Sequence, residues 1–258
     1  MKIITSRDNP AYKELKHLAA STQAQRRAGR ALLDGVHLAQ SYLQHVGLPQ
    51  LCVVAESAQF NPEVGALLTR CSASSCMLLP DSLYRGLSQV QHGVGLLFVV
   101  ETPQAPAPLA VTQPAVLLDR LQDPGNLGSI LRSAAAAGIR QIYCSPGTAF
   151  SWSSKVLRAG MGAHFMLQIF EDVDLVALAQ SMRIPLLATS SHAQHTLYET
   201  DLSQPVAWLF GHEGQGVTED LLKLASLQVA IPQAPGVESL NVAAAAAVCF
   251  FEGVRQSL

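Results

Sequence analysis

Three stretches of this chain carry the residue types that chemistry needs, and each directly follows a run of apolar residues of strand length. The first, Leu118 to Arg132, reads LDRLQDPGNLGSILR and leads into an alanine-rich helix that Gly138 is expected to end. Asn126 suits a helix N-cap. Gly128 and Arg132 lie four apart and share a helix face, so Arg132 either faces solvent or reaches a phosphate or hydroxyl in a cleft. The second stretch follows Val206–Phe210 and reads Gly211-His212-Glu213-Gly214-Gln215-Gly216. Its three glycines permit close backbone approach to a ligand. It is neither a P-loop, lacking a Gly-Lys-Ser/Thr ending, nor the Gly-x-Gly-x-x-Gly dinucleotide fingerprint. The third, Ile231 to Val242, reads IPQAPGVESLNV and runs into a second alanine-rich helix. Ser239 and Asn241 there serve either as plain caps or as part of a polar-ligand site at a helix N-terminus.

The elements that must position these stretches follow from the apolar pattern. Runs at Ala115–Leu118, Gln141–Cys144, Leu186–Thr189, Val206–Phe210 and Leu227–Ile231 alternate with helix-like segments. That alternation predicts an α/β fold with a parallel sheet, whose ligands bind at the carboxyl ends of the strands. Residues 101–114 hold four prolines and are read as a linker between two domains, 1–100 and 115–258. In the first domain, helical stretches from Asn9 to Ala20 and roughly from Gln23 to Gln44 lead into strands at Leu51–Ala55, Met77–Leu79 and Leu96–Val100.

Composition bounds the function classes. The 258 residues are 49% hydrophobic and 14% charged, which fits compact globular structure. The longest apolar run, Val242 to Phe251, is too short for a membrane span and predicts a buried helix; no signal peptide is visible, so a cytoplasmic location is expected. Five cysteines without a Cys-x-x-Cys pair are read as reduced thiols. His192 and His195 lack companions at zinc-like spacing and are placed in a polar loop, so no metal is expected. The net charge is −2, but residues 1–30 hold Lys2, Arg7, Lys13, Lys16, Arg26, Arg27 and Arg30 against Asp8 and Glu14. Such an arm is either an ordinary solvated face or a basic surface for nucleic acid.

Taken together, Asn-x-Gly-x-x-x-Arg at 126–132, Phe-Gly-x-Glu-x-x-Gly at 210–216 and Ile-Pro-x-x-x-Gly-x-x-Ser-Leu-Asn-Val at 231–242 resemble the three motifs of the SpoU (TrmH) family of RNA 2′-O-ribose methyltransferases. The opening Ile4-Thr5-Ser6 with Asn9-Pro10 looks, more loosely, like the substrate-binding domain of many members. The resemblance implies a C-terminal SPOUT domain with a deep trefoil knot and a small ribosomal-protein-like α/β domain that binds RNA. It further implies S-adenosylmethionine as cofactor, a ribosomal or transfer RNA substrate, and a homodimer with no membrane partner. By the same resemblance, Gly211, Ile231 and Leu240 grip the cofactor with Thr189, Leu209 and Ser239 nearby. Arg132, Asn126, Glu213, Ser239 and Asn241 then form the catalytic set, with Arg132 at the hydroxyl as base or orienting group. The rival from another class is a non-catalytic RNA-binding or ribosome-assembly factor of the same fold. A nucleotide-dependent oxidoreductase or phosphotransferase lacks the glycine and lysine patterns it needs.

Overall fold

The computed structural model describes residues 1–90, 93–104, 106–108 and 110–258. The chain divides into two compact units, Met1–Gln104 with Trp152–Phe165, and Ala105–Ser151 with Met166–Leu258. The proline-rich stretch 101–114 includes Ala105 and Leu109, which lie outside the described residues. Within that stretch Val111 is fully buried in the core of the second unit, so it is not a free tether.

The chain begins with β1 (Lys2–Ile3), α1 (Pro10–Ala20), α2 (Thr22–Ala28), β2 (Arg30–Asp34) and α3 (Val36–His45). Then come β3 (Leu51–Ala55), α4 (Pro62–Leu68), β4 (Cys76–Leu79), α5 (Asp81–Tyr84) and β5 (Leu96–Glu101). These strands form a mixed sheet in the order β1-β4-β3-β5-β2. The expected helix over 23–44 is a helix, a strand and a helix. Gly29 at φ +61° closes α2, and Gly35 at φ +106° opens α3. Between them Leu32 and Leu33 are buried in β2, which pairs antiparallel with β5. Two glycines in conformations that other residues avoid therefore override a helix-compatible run of side chains.

The chain continues through β6 (Ala115–Leu118), α6 (Pro124–Ala136), β7 (Gln141–Cys144), α7 (Ser154–Gly160), β8 (Gln168–Phe170) and α8 (Leu175–Gln180). It ends with β9 (Leu186–Thr189), β10 (His195–Thr196), β11 (Ala207–Phe210), α9 (Glu219–Leu224), β12 (Leu227–Ala230) and α10 (Val242–Ser257). Helix α7 belongs to the first unit. The seven strands of the second unit are all parallel, in the order β10-β12-β9-β11-β6-β7-β8. Every residue of β6 and β11 is buried, because these central strands are covered on both faces and so read as unbroken apolar runs. His195 is not in an irregular loop: with Thr196 it forms β10, the short edge strand beside β12.

Parallel strands deliver their following loops to one edge of the sheet. Since β12, β9, β11 and β6 are consecutive neighbours, the turns after Ala230, Thr189, Phe210 and Leu118 gather at that edge. Helices α6 and α10 pack on each other, bringing their N-terminal turns to the same place. Helix α10 is not buried all round: Ala243, Ala246, Cys249, Phe250 and Glu252 face inward while Phe251 is exposed.

Candidate functional site

The turn after β11 is built on close backbone approach. A Cβ on Gly211 would collide with the Gly216–Val217 peptide, so only glycine fits there. His212 and Gly216 exchange both backbone hydrogen bonds, the two N–H donors lying 3.1 and 2.8 Å from the opposing carbonyls, and Gly216 takes φ +69°. Inside this loop His212 Nδ1 accepts from the backbone N–H groups of Gly214 at 3.0 Å and Gln215 at 3.2 Å. The loop is anchored from β6 by Asp119, a buried carboxylate that accepts from Thr218 N at 2.9 Å.

Glu213 projects from this turn and collects the start of α6. Its carboxylate accepts from Gln122 N at 3.1 Å, Asp123 N at 2.9 Å and Asn126 Nδ2 at 3.1 Å. Partial burial works to raise its pKa, but the donors from Asp123, Asn126 and Gln122 together outweigh that and hold Glu213 below the usual carboxylate value. It is therefore a standing anion whose lone pairs are engaged.

An ionised carboxylate only accepts, so Asn126 must turn its NH2 toward Glu213 and its Oδ1 away. That Oδ1 accepts from Asn241 Nδ2 at 2.9 Å. Asn241 in turn must present its own Oδ1 to α10, where it accepts from Ala243 N at 2.9 Å and Ala244 N at 3.2 Å. One chain of hydrogen bonds with a single allowed polarity thus joins all three stretches. The N-cap of α6 is Asp123, whose side chain accepts from Asn126 N at 2.7 Å, with Pro124 in the first turn. Asn126 is not the cap, which leaves its side chain free for Glu213 and Asn241. Asn241 caps α10, whereas Ser239 does not.

Beside this network lies a cavity of about 310 Å³ lined by Thr189, Gly211, Glu213, Ile231, Ser239, Leu240 and Asn241 among others. Leu209 is absent from the lining, because its side chain is fully buried in the core of the second unit. Asn126 stands one hydrogen bond behind Asn241. Arg132 is exposed on the third turn of α6, outside the lining, with no hydrogen-bond or ion-pair partner among the described residues. Asp119, Asp123, His212 and Gln233 have roles or positions here that the motif spacing did not single out. For the two aspartates a hint existed in sequence, as both lie between the first strand and its helix.

The SpoU rRNA Methylase family model matches residues 113–251. The chain is 38% identical, over 98% of its length and 93% of the relative's, to an uncharacterized tRNA/rRNA methyltransferase of Synechocystis sp.. It is 26% identical, over 97% and 98%, to the 23S rRNA (guanosine(2553)-2′-O)-methyltransferase RlmP of Bacillus subtilis. Among solved structures, the SpoU methyltransferase AviRb of Streptomyces viridochromogenes in complex with AdoMet superposes with a TM-score of 0.85 at 27% identity, covering 96% of this chain and 98% of that one. With the family model spanning more than half its residues, this chain belongs to the SpoU rRNA methylase family.

Proposed function

We propose that this protein transfers a methyl group from S-adenosylmethionine to a ribose 2′-hydroxyl of ribosomal or transfer RNA. The observation that carries this reading is the hydrogen-bond chain Glu213–Asn126–Asn241, which ties three separate turns around one cavity. Two features of that cavity fit the donor: its volume lies at the small end of ligand sites, and Gly211 permits backbone approach. The catalytic reading is favoured over a non-catalytic RNA-binding or assembly role, since the family's relatives are themselves methyltransferases.

When bound, S-adenosylmethionine supplies a methyl group on a sulfonium that is already electrophilic, so this chain's task is alignment and proton removal. Glu213, with its oxygens engaged by three donors, holds Asn126 in place and is not a free base. Asn126 and Asn241 transmit that position to the start of α10, next to Ser239 and Leu240. Arg132 orients the ribose hydroxyl or its neighbouring phosphate and stabilises the charge that develops on the attacking oxygen, whose proton passes to solvent water. Thr189, Gly211, Ile231, Ser239 and Leu240 seat the cofactor.

The first unit docks the RNA, which the basic residues of its first 30 positions support. The insertion of β12 between β9 and β10, with α10 on α6, supports a knotted C-terminal segment. The exposed Phe251 on α10 supports a homodimer. No helix among the described residues is long and apolar enough to cross a membrane, and a cytoplasmic location suits the RNA substrate and the free cysteines. The test is transfer of labelled methyl to total RNA followed by nucleoside analysis. Wild-type protein is expected to yield one 2′-O-methylated nucleoside, and Arg132→Ala none while still binding S-adenosylhomocysteine. Undiminished transfer by that variant would remove Arg132 from the reaction, and no transfer by wild type to any RNA would sink the reading.

A further inference from the structure

The first unit has a cavity of its own, about 600 Å³ in volume, walled by the turn after β3, the starts of α4 and α5 and the segment before β5. Several polar groups in its wall are already spent. Tyr84 Oη donates to Asp34 Oδ1 at 3.4 Å and Ser88 Oγ to Asp34 Oδ2 at 2.7 Å. Ser57 gives both its N–H, at 3.0 Å, and its hydroxyl, at 2.9 Å, to Asp81 Oδ1. Asn61 caps α4, so its Oδ1 accepts from Glu63 N at 2.9 Å and Val64 N at 3.4 Å. These bonds fix what is left over: Asn61 presents its NH2, a donor, and Asp81 its Oδ2, an acceptor, each without a partner among the described residues. Both residues are partly exposed in the cavity wall, and Arg85, one turn after Asp81, adds an exposed guanidinium to it.

A neutral donor, an anionic acceptor and a cation around one cavity suit a nucleotide, whose base edge both gives and accepts and whose phosphate is an anion. Phe60 adds the remaining part. It stands between Ala58 and Asn61, which both line the cavity, and it is 82% exposed. The face of an unstacked base is what covers such a ring in RNA recognition. The carboxylate decides which bases fit. Cytosine, adenine and guanine carry an exocyclic amine that donates to Asp81 Oδ2, whereas uracil turns carbonyl oxygens to the same place, which an anion repels. Resting on the reading that the first unit docks the RNA, we propose that this cavity holds one unpaired, amine-bearing base. Its amine donates to Asp81, a ring acceptor takes the Asn61 NH2, Phe60 covers its face, and Arg85 meets a neighbouring phosphate.

Fluorescence anisotropy of the full chain tests this with two labelled single-stranded RNA heptamers, one all uridine and one with a single central cytidine. Wild-type protein is expected to bind the cytidine strand about tenfold more tightly, the scale of one hydrogen bond to a charged group. Asp81→Asn keeps an oxygen for Ser57 and so puts an NH2 where Oδ2 stood, and the preference should vanish or turn toward uridine. Phe60→Ala, at a site that packs on little, should weaken both strands about tenfold and keep their ratio. If wild type shows no preference, or Asp81→Asn keeps it, the base is not read here and the proposal is overturned. Failure of either strand to bind, the result expected of a cavity built for a protein segment, overturns it as well. None of these measurements needs the cofactor. An absent preference beside intact methyl transfer strikes this site alone, while a cytidine preference in a protein that transfers no methyl strikes the methyltransferase reading.

Discussion

The two ends of α10 are both held by polar networks, yet they are wired differently. At the C-terminal end Glu252, 7% exposed, accepts from Arg255 Nε at 2.9 Å, Arg255 Nη2 at 2.7 Å and Gln256 Nε2 at 2.8 Å. Gln256 also donates to Thr200 O at 3.0 Å and accepts from Leu202 N at 2.8 Å. Most of these partners lie within one turn of helix. At the N-terminal end Asn241 reaches Asn126, and Asn126 reaches Glu213, residues that lie 115 and 87 positions apart. The first network fastens a helix to its neighbour and has alternatives if one bond fails. The second links side chains of three turns far apart in the sequence, and each amide has one allowed orientation. Loss of a member is therefore expected to damage geometry more than stability at one end, and stability more than geometry at the other.

The sharpest break is Asn126→Ala. It strands Glu213 and Asn241 together while leaving the α6 cap to Asp123. Single-turnover methyl transfer is expected to fall about 100-fold, the scale for misplacing reacting groups by about 1 Å. The thermal midpoint should barely move. A variant that melts several degrees lower yet retains its rate would reverse the contrast between the two ends.

Asn241→Asp divides the roles of one residue. Aspartate keeps the acceptor that caps α10 but cannot donate to Asn126, and that amide cannot turn its NH2 to two carboxylates on opposite sides. Transfer is expected to drop by about tenfold, equivalent to one hydrogen bond of ~1.4 kcal/mol. The helix should remain capped, with midpoint unchanged. Asn241→Ala should lose both, adding a capping loss of ~1 kcal/mol.

Legibility from sequence tracks how many faces of an element are covered. Ala115–Leu118, Gln141–Cys144 and Leu186–Thr189 match β6, β7 and β9 residue for residue, because strands of a parallel sheet packed on both faces leave no polar interruption. Strands β1, β8 and β10 have two or three residues each and carry no periodicity to read. Strand β2 was hidden because Arg30, Ala31 and Leu32 serve a helix as well as a strand, and only the backbone at Gly29 and Gly35 decides. Residue spacing could mark Asn126 and Asn241 but not their polarity, which follows from an anion at Glu213 that sits far away in sequence.

At the opposite end of α10, Glu252→Ala frees the guanidinium of Arg255 and one N–H of Gln256. The thermal midpoint is expected to fall by a few degrees, in the range of ordinary single-site losses for a domain of this size. Methyl transfer measured well below the midpoint should be unchanged. A rate loss with intact folding would mean that the two ends are coupled through the helix.

The smallest effect is also the most specific, because it reads charge alone. Hydrogen bonds from Arg255 and then Gln256 hold Glu252 at a pKa of about 2. An unfolded glutamate titrates at about 4.3, so the folded value is depressed. The stabilisation is then fully present above that unfolded value and disappears as the pH falls from there through about 2. Thermal midpoints of wild type and Glu252→Gln, compared from pH 7 downward, should differ by a constant gap until about pH 4 and then converge. Because the side-chain hydrogen bonds of Glu252 all lie within its own helix, this convergence should leave S-adenosylhomocysteine affinity unmoved at any pH where the protein is folded. Glu213, also held below its usual value, should carry its acid sensitivity into ligand binding instead. A gap that stays constant to pH 2 would show that the Glu252 network works by shape and neutral hydrogen bonding, not by the carboxylate charge.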